Sequence, residues 1–266
     1  MTATRGRRWR VVVLAVAAVY FLLPLLAAAE FSLRIPGAGY GLANWSAIAT
    51  DPVLLGALAT SLQIAVVTAV LVQVLVVPTA VWVRLQLPGL AGALESATIL
   101  PIVIPPVVMA AGIAFVQANL GGPLFRTLFA SSTTALTPFY VVLALPFAYR
   151  AVDNGLAAIP LRTLVEAARN LGAGTGTTLL RVVLPAVRSA VLGAAFLTLA
   201  LVLGEIVIAR ILLYTDTFPI AIVEVGRSRA GVAVALSLAS LLVTWVLLVA
   251  VSLVGGRRTT RNEASS

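Results

Sequence analysis

Apolar residues fall in long runs along this chain, and polar residues collect between them. Four arginines, Arg5, Arg7, Arg8 and Arg10, precede an apolar stretch from Val11 to Ala29. Further runs cover Leu54 to Trp82, Ala97 to Phe115, Thr137 to Tyr149, Ala190 to Leu213 and Gly231 to Val254. About 20 residues of helix rise about 30 Å, the thickness of a hydrocarbon core. The pattern predicts an all-α polytopic membrane protein with six transmembrane helices, at 11–29, 54–82, 97–115, 137–149, 190–213 and 231–254. The fourth is short and is expected to borrow residues from the loop before it. A basic start and an apolar run also fit a signal peptide, but no small-residue cleavage site precedes a soluble domain, so the run reads as a retained span.

The polar segments set the topology. Residues 30–52 hold Glu30, Arg34, Pro36, Gly37, Tyr40, Gly41 and Trp45, with aromatics suited to a membrane interface. Gly121, Gly122, Pro123 and Arg126 mark a second loop on that side, and Tyr214 to Arg229 a third. With the N-terminus inside, thirteen arginines are internal: Arg5, Arg7, Arg8, Arg10, Arg84, Arg150, Arg162, Arg169, Arg181, Arg188, Arg257, Arg258 and Arg261. Five are external: Arg34, Arg126, Arg210, Arg227 and Arg229. That imbalance satisfies the positive-inside rule and predicts a multi-pass membrane protein with both termini cytoplasmic. Residues 1–266 read as a single membrane domain, with disorder expected at Met1–Arg5 and beyond Arg258.

Composition narrows the chemistry. The chain is 61% hydrophobic and 10% charged, against about 25% charged in soluble domains. Its net charge of +9 comes from arginines beside the spans, which fits headgroups and topology rather than nucleic acid. There is no His, Cys or Lys. Histidine bases, thiolate nucleophiles, Cys/His zinc sites and lysine Schiff bases are excluded, and so is the lysine of a phosphate-binding Walker loop. No catalytic, cofactor or metal site is expected, and any ATP must be hydrolysed by another chain.

One polar segment, 150–188, has a helical pattern of its own. Leu161, Leu164, Val165, Ala168 and Leu171 make the apolar stripe of a short amphipathic helix. Pro160 suits its first turn and Gly172 the residue just past its end. Glu166 lies within reach of Arg162 and Arg169, though an exposed pair contributes only about 0.3–0.5 kcal/mol. Ala167 and Ala168 leave the helix surface shallow. Gly172, Gly174 and Gly176 allow a turn before Thr177 starts a second helix through Leu184 and Pro185. On periodicity alone this is either an interfacial helix lying on headgroups or a docking surface for a soluble partner.

The residues themselves resemble a family: permease subunits of binding-protein-dependent ABC importers of type I. Their signature is Glu-Ala-Ala, three residues, Gly, nine residues, then aliphatic-any-Leu-Pro. Here it stands as Glu166-Ala167-Ala168, Gly172 and Val182-Val183-Leu184-Pro185, with valine at the more usual isoleucine position. The resemblance implies the type I transmembrane fold, with segment 150–188 as the cytoplasmic coupling loop. Glu166 would be the charged contact to an ATPase, and Gly172 the turn that lets the helix lie flat. It also implies a cytoplasmic ABC ATPase dimer, a second permease subunit and an extracytoplasmic substrate-binding protein as partners.

Looser matches point to the spermidine/putrescine, iron(III) and aminoethylphosphonate group. They are Phe31-Ser32, the stretch Tyr40 to Trp45, Thr60-Ser61-Leu62, and Leu100 to Pro106. That grouping implies a heterodimer of permeases over a homodimer and a polyamine-type solute. Inside the spans, Glu205 is the one acid well within a run, and it reads either as a translocation or gating residue or as packing at a subunit interface. Pro101, Pro105 and Pro106 make span 3 either a kinked structural helix or a gating element, with Pro105 and Pro106 the candidates. Gln63 and Gln73 are expected to hydrogen-bond between helices. Asp216 and Glu224 read as solvated loop charges, with contact to a binding protein as the alternative. An ion-coupled secondary carrier or channel is the competing class, and a membrane-embedded hydrolase the remote one.

Overall fold

The computed structural model describes residues 3–119, 122 and 133–256. Gly121, Pro123 and Arg126 of the expected second loop, and Arg257, Arg258 and Arg261 of the tail, lie outside the described residues. The chain is helical almost throughout. Helix α1 is Ala3–Leu33, followed by a two-stranded hairpin, β1 Arg34–Ile35 and β2 Gly39–Tyr40, then α2 Ala43–Thr50 and α3 Pro52–Gln86. Helices α4 Ala91–Val103 and α5 Pro106–Asn119 come next, then α6 Thr137–Ala157 and α7 Leu161–Asn170. A short α8, Thr175–Thr178, passes through a π-helical turn, Leu179–Val183, into α9, Leu184–Ala186. The remaining helices are α10 Arg188–Gly204, α11 Val207–Ile211, α12 Phe218–Ser228 and α13 Ala230–Gly256.

All six predicted apolar runs fall on helices, but not on six equivalent spans. Among the described residues four stretches are long and apolar enough to cross a membrane: Trp9–Leu33, Pro52–Gln86, Thr133–Ala157 and Arg188–Ile211. A fifth arises if Pro88–Val103 and Pro106–Asn119 count as one span, and these are bent by 89° at the break between them. The last helix carries a shorter apolar stretch, Ala230–Val246.

Three expectations are corrected. Span 3 is broken rather than kinked. Ile104 precedes a proline and is therefore extended (φ −79°, ψ 120°), and Pro105 and Pro106 bring no N–H to continue the helix. Span 4 does not stop at Tyr149. Its helix continues to Ala157 because Val152 and Leu156 keep an apolar face buried while Asp153 turns its carboxylate to Arg84. The polar segment between helices is therefore shorter than 150–188. Span 5 is also interrupted, at Glu205 and Ile206.

The chain divides into two compact units, Met1–Leu55 with Ala221–Val243, and Gly56–Ile220 with Thr244–Ser266. In the first, the expected interfacial loop is a built structure. Asn44 Nδ2 donates to the carbonyls of Ser32 (2.9 Å) and Arg34 (3.1 Å), and the Trp45 indole N–H to Ser32 Oγ (3.2 Å). Tyr40 donates its phenol proton to Glu30 (2.6 Å), which also pairs with Arg34. Asp51 pairs with Arg229 at 2.7 Å, and the guanidinium holds the Asp51 carboxyl below its ordinary value. The stabilisation is thus present above the usual carboxylate range and is lost as pH falls through the lowered value.

In the second unit, two apolar clusters fill the bundle. One joins Val72, Val76 and Ala80 of α3 to Ala144, Ala148 and Val152 of α6, and to Ala194 of α10. The other joins Ile64 of α3, Ala110 of α5, Leu136 and Tyr140 beside and on α6, and Ile208 and Ala209 of α11. Gln63 is exposed and Gln73 finds no hydrogen-bond partner among the described residues, so neither makes the expected interhelical bond there.

Helix α6 packs against both α4 and α10. Small residues bring α6 and α10 close, and a Cβ added at Gly155 would collide with the Ala190 side chain. Gly155→Val is expected to destabilise the helix bundle by about 1–3 kcal/mol through overpacking. The measurement is the thermal midpoint of the detergent-solubilised protein, with Ala158→Val on the adjoining turn as the control that leaves it unchanged.

Candidate functional site

The predicted amphipathic helix is α7. Pro160 stands at its N-cap, one position before the first turn expected from sequence. Leu161, Val165 and Ala168 are buried, and Leu161 and Val165 join the α3–α6 cluster, so the stripe faces the bundle. Leu164 is half-buried and Leu171 leaves the stripe altogether at 88% exposure. Glu166 and Ala167 are exposed on the opposite face. Ala168 turns inward, so the shallow outer surface is made by Ala167 alone. Glu166 forms no ion pair with Arg162 or Arg169, and all three side chains are exposed.

The helix ends in a Schellman turn. Ala173 N–H bonds the Ala168 carbonyl (3.0 Å), Gly172 N–H bonds that of Arg169 (2.9 Å), and Gly172 has φ +80°. Of the three glycines expected to turn the chain, only Gly172 needs its freedom. Gly174 is an extended N-cap and Gly176 lies within α8, which starts at Thr175 rather than Thr177. The π-turn has a cause in the motif. Pro185 cannot donate to the Arg181 carbonyl and its ring crowds it, so the helix widens and Leu184 N–H reaches back to Leu179 O. Pro185 is exposed, Val182 and Leu184 are half-buried, and Val183 between them is fully buried.

Beneath α7, a cavity of about 220 Å³ lies between the end of α3 and the turn that follows α7, lined by Trp82, Leu85, Val165, Arg169, Thr178 and Leu179. The end of α3 is tied to α6 beside it. Arg84 makes a two-pronged contact to Asp153, with Nη2 at 2.8 Å from Oδ2. Sequence reasoning missed this pair, because 69 residues separate its members.

The second candidate region is the break at Glu205. Glu205 is not inside a continuous helix. It ends α10 in an extended conformation (φ −79°, ψ 123°), and its carboxylate accepts the backbone N–H groups of Val207 (2.7 Å) and Ile208 (2.9 Å). Its other oxygen accepts the Tyr140 phenol proton at 3.0 Å, and Tyr140 is 2% exposed. Beyond the break, α11 packs on α5, the half-helix beyond the Pro105 break, and the Gln117 side chain hydrogen-bonds the Tyr214 phenol. Pro105 and Pro106 are exposed. The coupling candidates and the pathway candidates thus form two separate groups. Arg210, on the last turn of α11, is exposed and has no acidic partner among the described residues.

Residues 77–259 match the family of binding-protein-dependent transport system inner membrane components. That stretch holds α4 to α13, both broken spans and the whole motif from Glu166 to Pro185. The chain belongs to this family. The permease is also 32% identical over 160 residues to the molybdenum transport system permease protein ModB of Azotobacter vinelandii, covering 57% of this chain and 69% of that protein. The permease is therefore a membrane-embedded, multi-pass subunit of a type I ABC importer, a transport component and not an enzyme. Such a subunit works with an ATPase and a substrate-binding protein. Neither match carries the polyamine grouping read from the first third of the chain.

Gly172→Ala tests the geometry of this helix end. An L-residue at φ +80° is expected to cost about 1–2 kcal/mol, so amide exchange across residues 168–173 should speed up. Exchange measured in α6 should stay as it is in the unaltered protein.

Proposed function

We propose that α7 is the surface through which the permease couples to its ATPase, with Glu166 as the charged contact. Ala167 and the exposed Leu171 flank it, and Gly172 fixes the helix end. Ala168, Val182, Leu184 and Pro185 shape the support behind it. The observation that carries this reading is the division of α7 itself. Its apolar stripe is already packed into the bundle, so the exposed Glu166 face is left to a partner rather than to headgroups. Two ATPase subunits closing on ATP would draw two such helices together, and their unequal affinity for the two permease states supplies the switch.

The arginine distribution supports six spans with both termini cytoplasmic, residues 1–266 forming a single membrane domain in the bacterial cytoplasmic membrane. In that arrangement α7 faces the cytoplasm. Pro105 and Pro106 serve as the hinge of span 3. The preference for a heterodimer rested on the polyamine grouping and loses its basis with it, while a second permease subunit is retained as partner.

For the transported solute we favour an oxyanion of the molybdate type over a polyamine. The likeness to the molybdenum permease supports this. So does the charge around the break between α10 and α11. Glu205, the acid that would attract a cation, is already engaged by two amides and a phenol, whereas Arg210 is available to an anion.

Two measurements test these readings. In a mild-detergent purification of the tagged permease, Glu166→Lys should lose the co-purifying ATPase while yield and span packing persist. ATPase retained at wild-type level would remove α7 from the coupling role. The recovered binding protein, titrated calorimetrically, should bind molybdate and not spermidine. The opposite preference would restore the polyamine reading.

A further inference from the structure

A break in a membrane span exposes backbone N–H groups that hydrocarbon cannot satisfy. In the span 188–211 the break is closed by one side chain. Glu205 accepts the amides of Val207 and Ile208 with one oxygen and the Tyr140 phenol proton with the other. This leaves Glu205 poorly placed to contact a solute and makes Tyr140 the group that fixes its position. Tyr140 stands near the start of α6, a rod of 21 residues whose other end is clamped to α3 by Asp153 and Arg84. Residues 158–160 then join that end directly to α7. On the far side of the break, α11 is packed on α5, itself the segment beyond the Pro105 break. The phenol–carboxylate contact is therefore a polar link between a rod attached to α7 and a segment set free by two helix breaks.

We propose that Tyr140 is a positioning residue of the transport cycle. Acting through Glu205, it holds the break between α10 and α11 closed, and transport requires that one contact to open and re-form. This rests on α7 being the place where ATP hydrolysis is felt.

The chain contains no cysteine, so Ala209→Cys places a single thiol on α11 at a fully buried position. Its reaction with a small maleimide is read by mass on this chain, in the intact complex reconstituted with ATPase and binding protein. With Tyr140 present, labelling should be slow without nucleotide and change when ATP is trapped. Tyr140→Phe keeps the ring and removes only the hydroxyl. Losing that bond to a carboxylate should speed nucleotide-free labelling about tenfold, with the response to nucleotide lost. Glu205→Gln keeps an oxygen for both amides and an NH₂ that the phenol oxygen can accept, so its nucleotide-free labelling should stay slower than that of Tyr140→Phe.

Wild-type labelling by Tyr140→Phe in every nucleotide state would overturn the proposal. So would loss of uptake in a well-folded Glu205→Gln with Tyr140→Phe silent, because the charge and not the contact would then matter. Failure of the coupling reading looks different: the Tyr140 background ignores nucleotide while Tyr140→Phe still labels fast. Glu166→Lys should keep slow labelling and lose only the nucleotide response.

Discussion

Hydrocarbon offers no hydrogen-bond partners, so a chain crossing it can leave the helix only where it supplies substitutes for the lost bonds. The permease does so twice and in two ways. At Ile104–Pro106 the donors are deleted: two successive prolines carry no N–H, and the Pro105 carbonyl already accepts Val108 (2.9 Å) and Met109 (3.1 Å) as α5 begins. At Glu205–Ile206 the chain keeps its donors, and the Glu205 carboxylate accepts those of Val207 and Ile208. The first solution rests on backbone chemistry at the break itself. The second places a carboxylate in the bundle, and its remaining oxygen needs a donor from another helix. Tyr140 provides it.

Helix α6 consequently has two polar ends and an apolar middle. Its Ala144, Ala148 and Gly155 allow close approach by neighbouring helices, as small residues do where lipid gives no hydrophobic drive between helices. Tyr140 and Asp153 supply direction: each bonds to one group on one other helix, and together they fix the rod along its axis. Packing of small side chains alone would leave α6 free to slide.

The surface helix α7 obeys the opposite logic. Its anchoring is apolar, through Leu161 and Val165, and its charged residues are left without mutual pairs. The turn at Gly172 and the π-turn forced by Pro185 return the chain to α10. The spacing of the motif from Glu166 to Pro185 thus has a backbone meaning. One residue must reach φ +80°, and another must lack an N–H where a helix widens to meet the bundle.

The sequence by itself determined the all-α membrane class, the positions of the apolar runs, the amphipathic helix with its glycine end, and the membership read from Glu166, Gly172 and Pro185. These are local or compositional properties: run length, 3.6-residue periodicity, and residues whose backbone needs are intrinsic. Periodicity placed Leu171 on the buried stripe, but the helix ends before it and leaves it exposed, whereas Ala168, read both on the stripe and on the shallow surface, is buried with the stripe. Run length stopped span 4 at Tyr149, because Asp153 reads as polar until its partner Arg84 is brought beside it. Glu205 read as a lone acid within a helix, because nothing near it in sequence announces a phenol 65 residues earlier. Only the tertiary structure decided which charges are satisfied, and it did so because a buried polar group finds its partner across helices, at distances along the chain that no local pattern records.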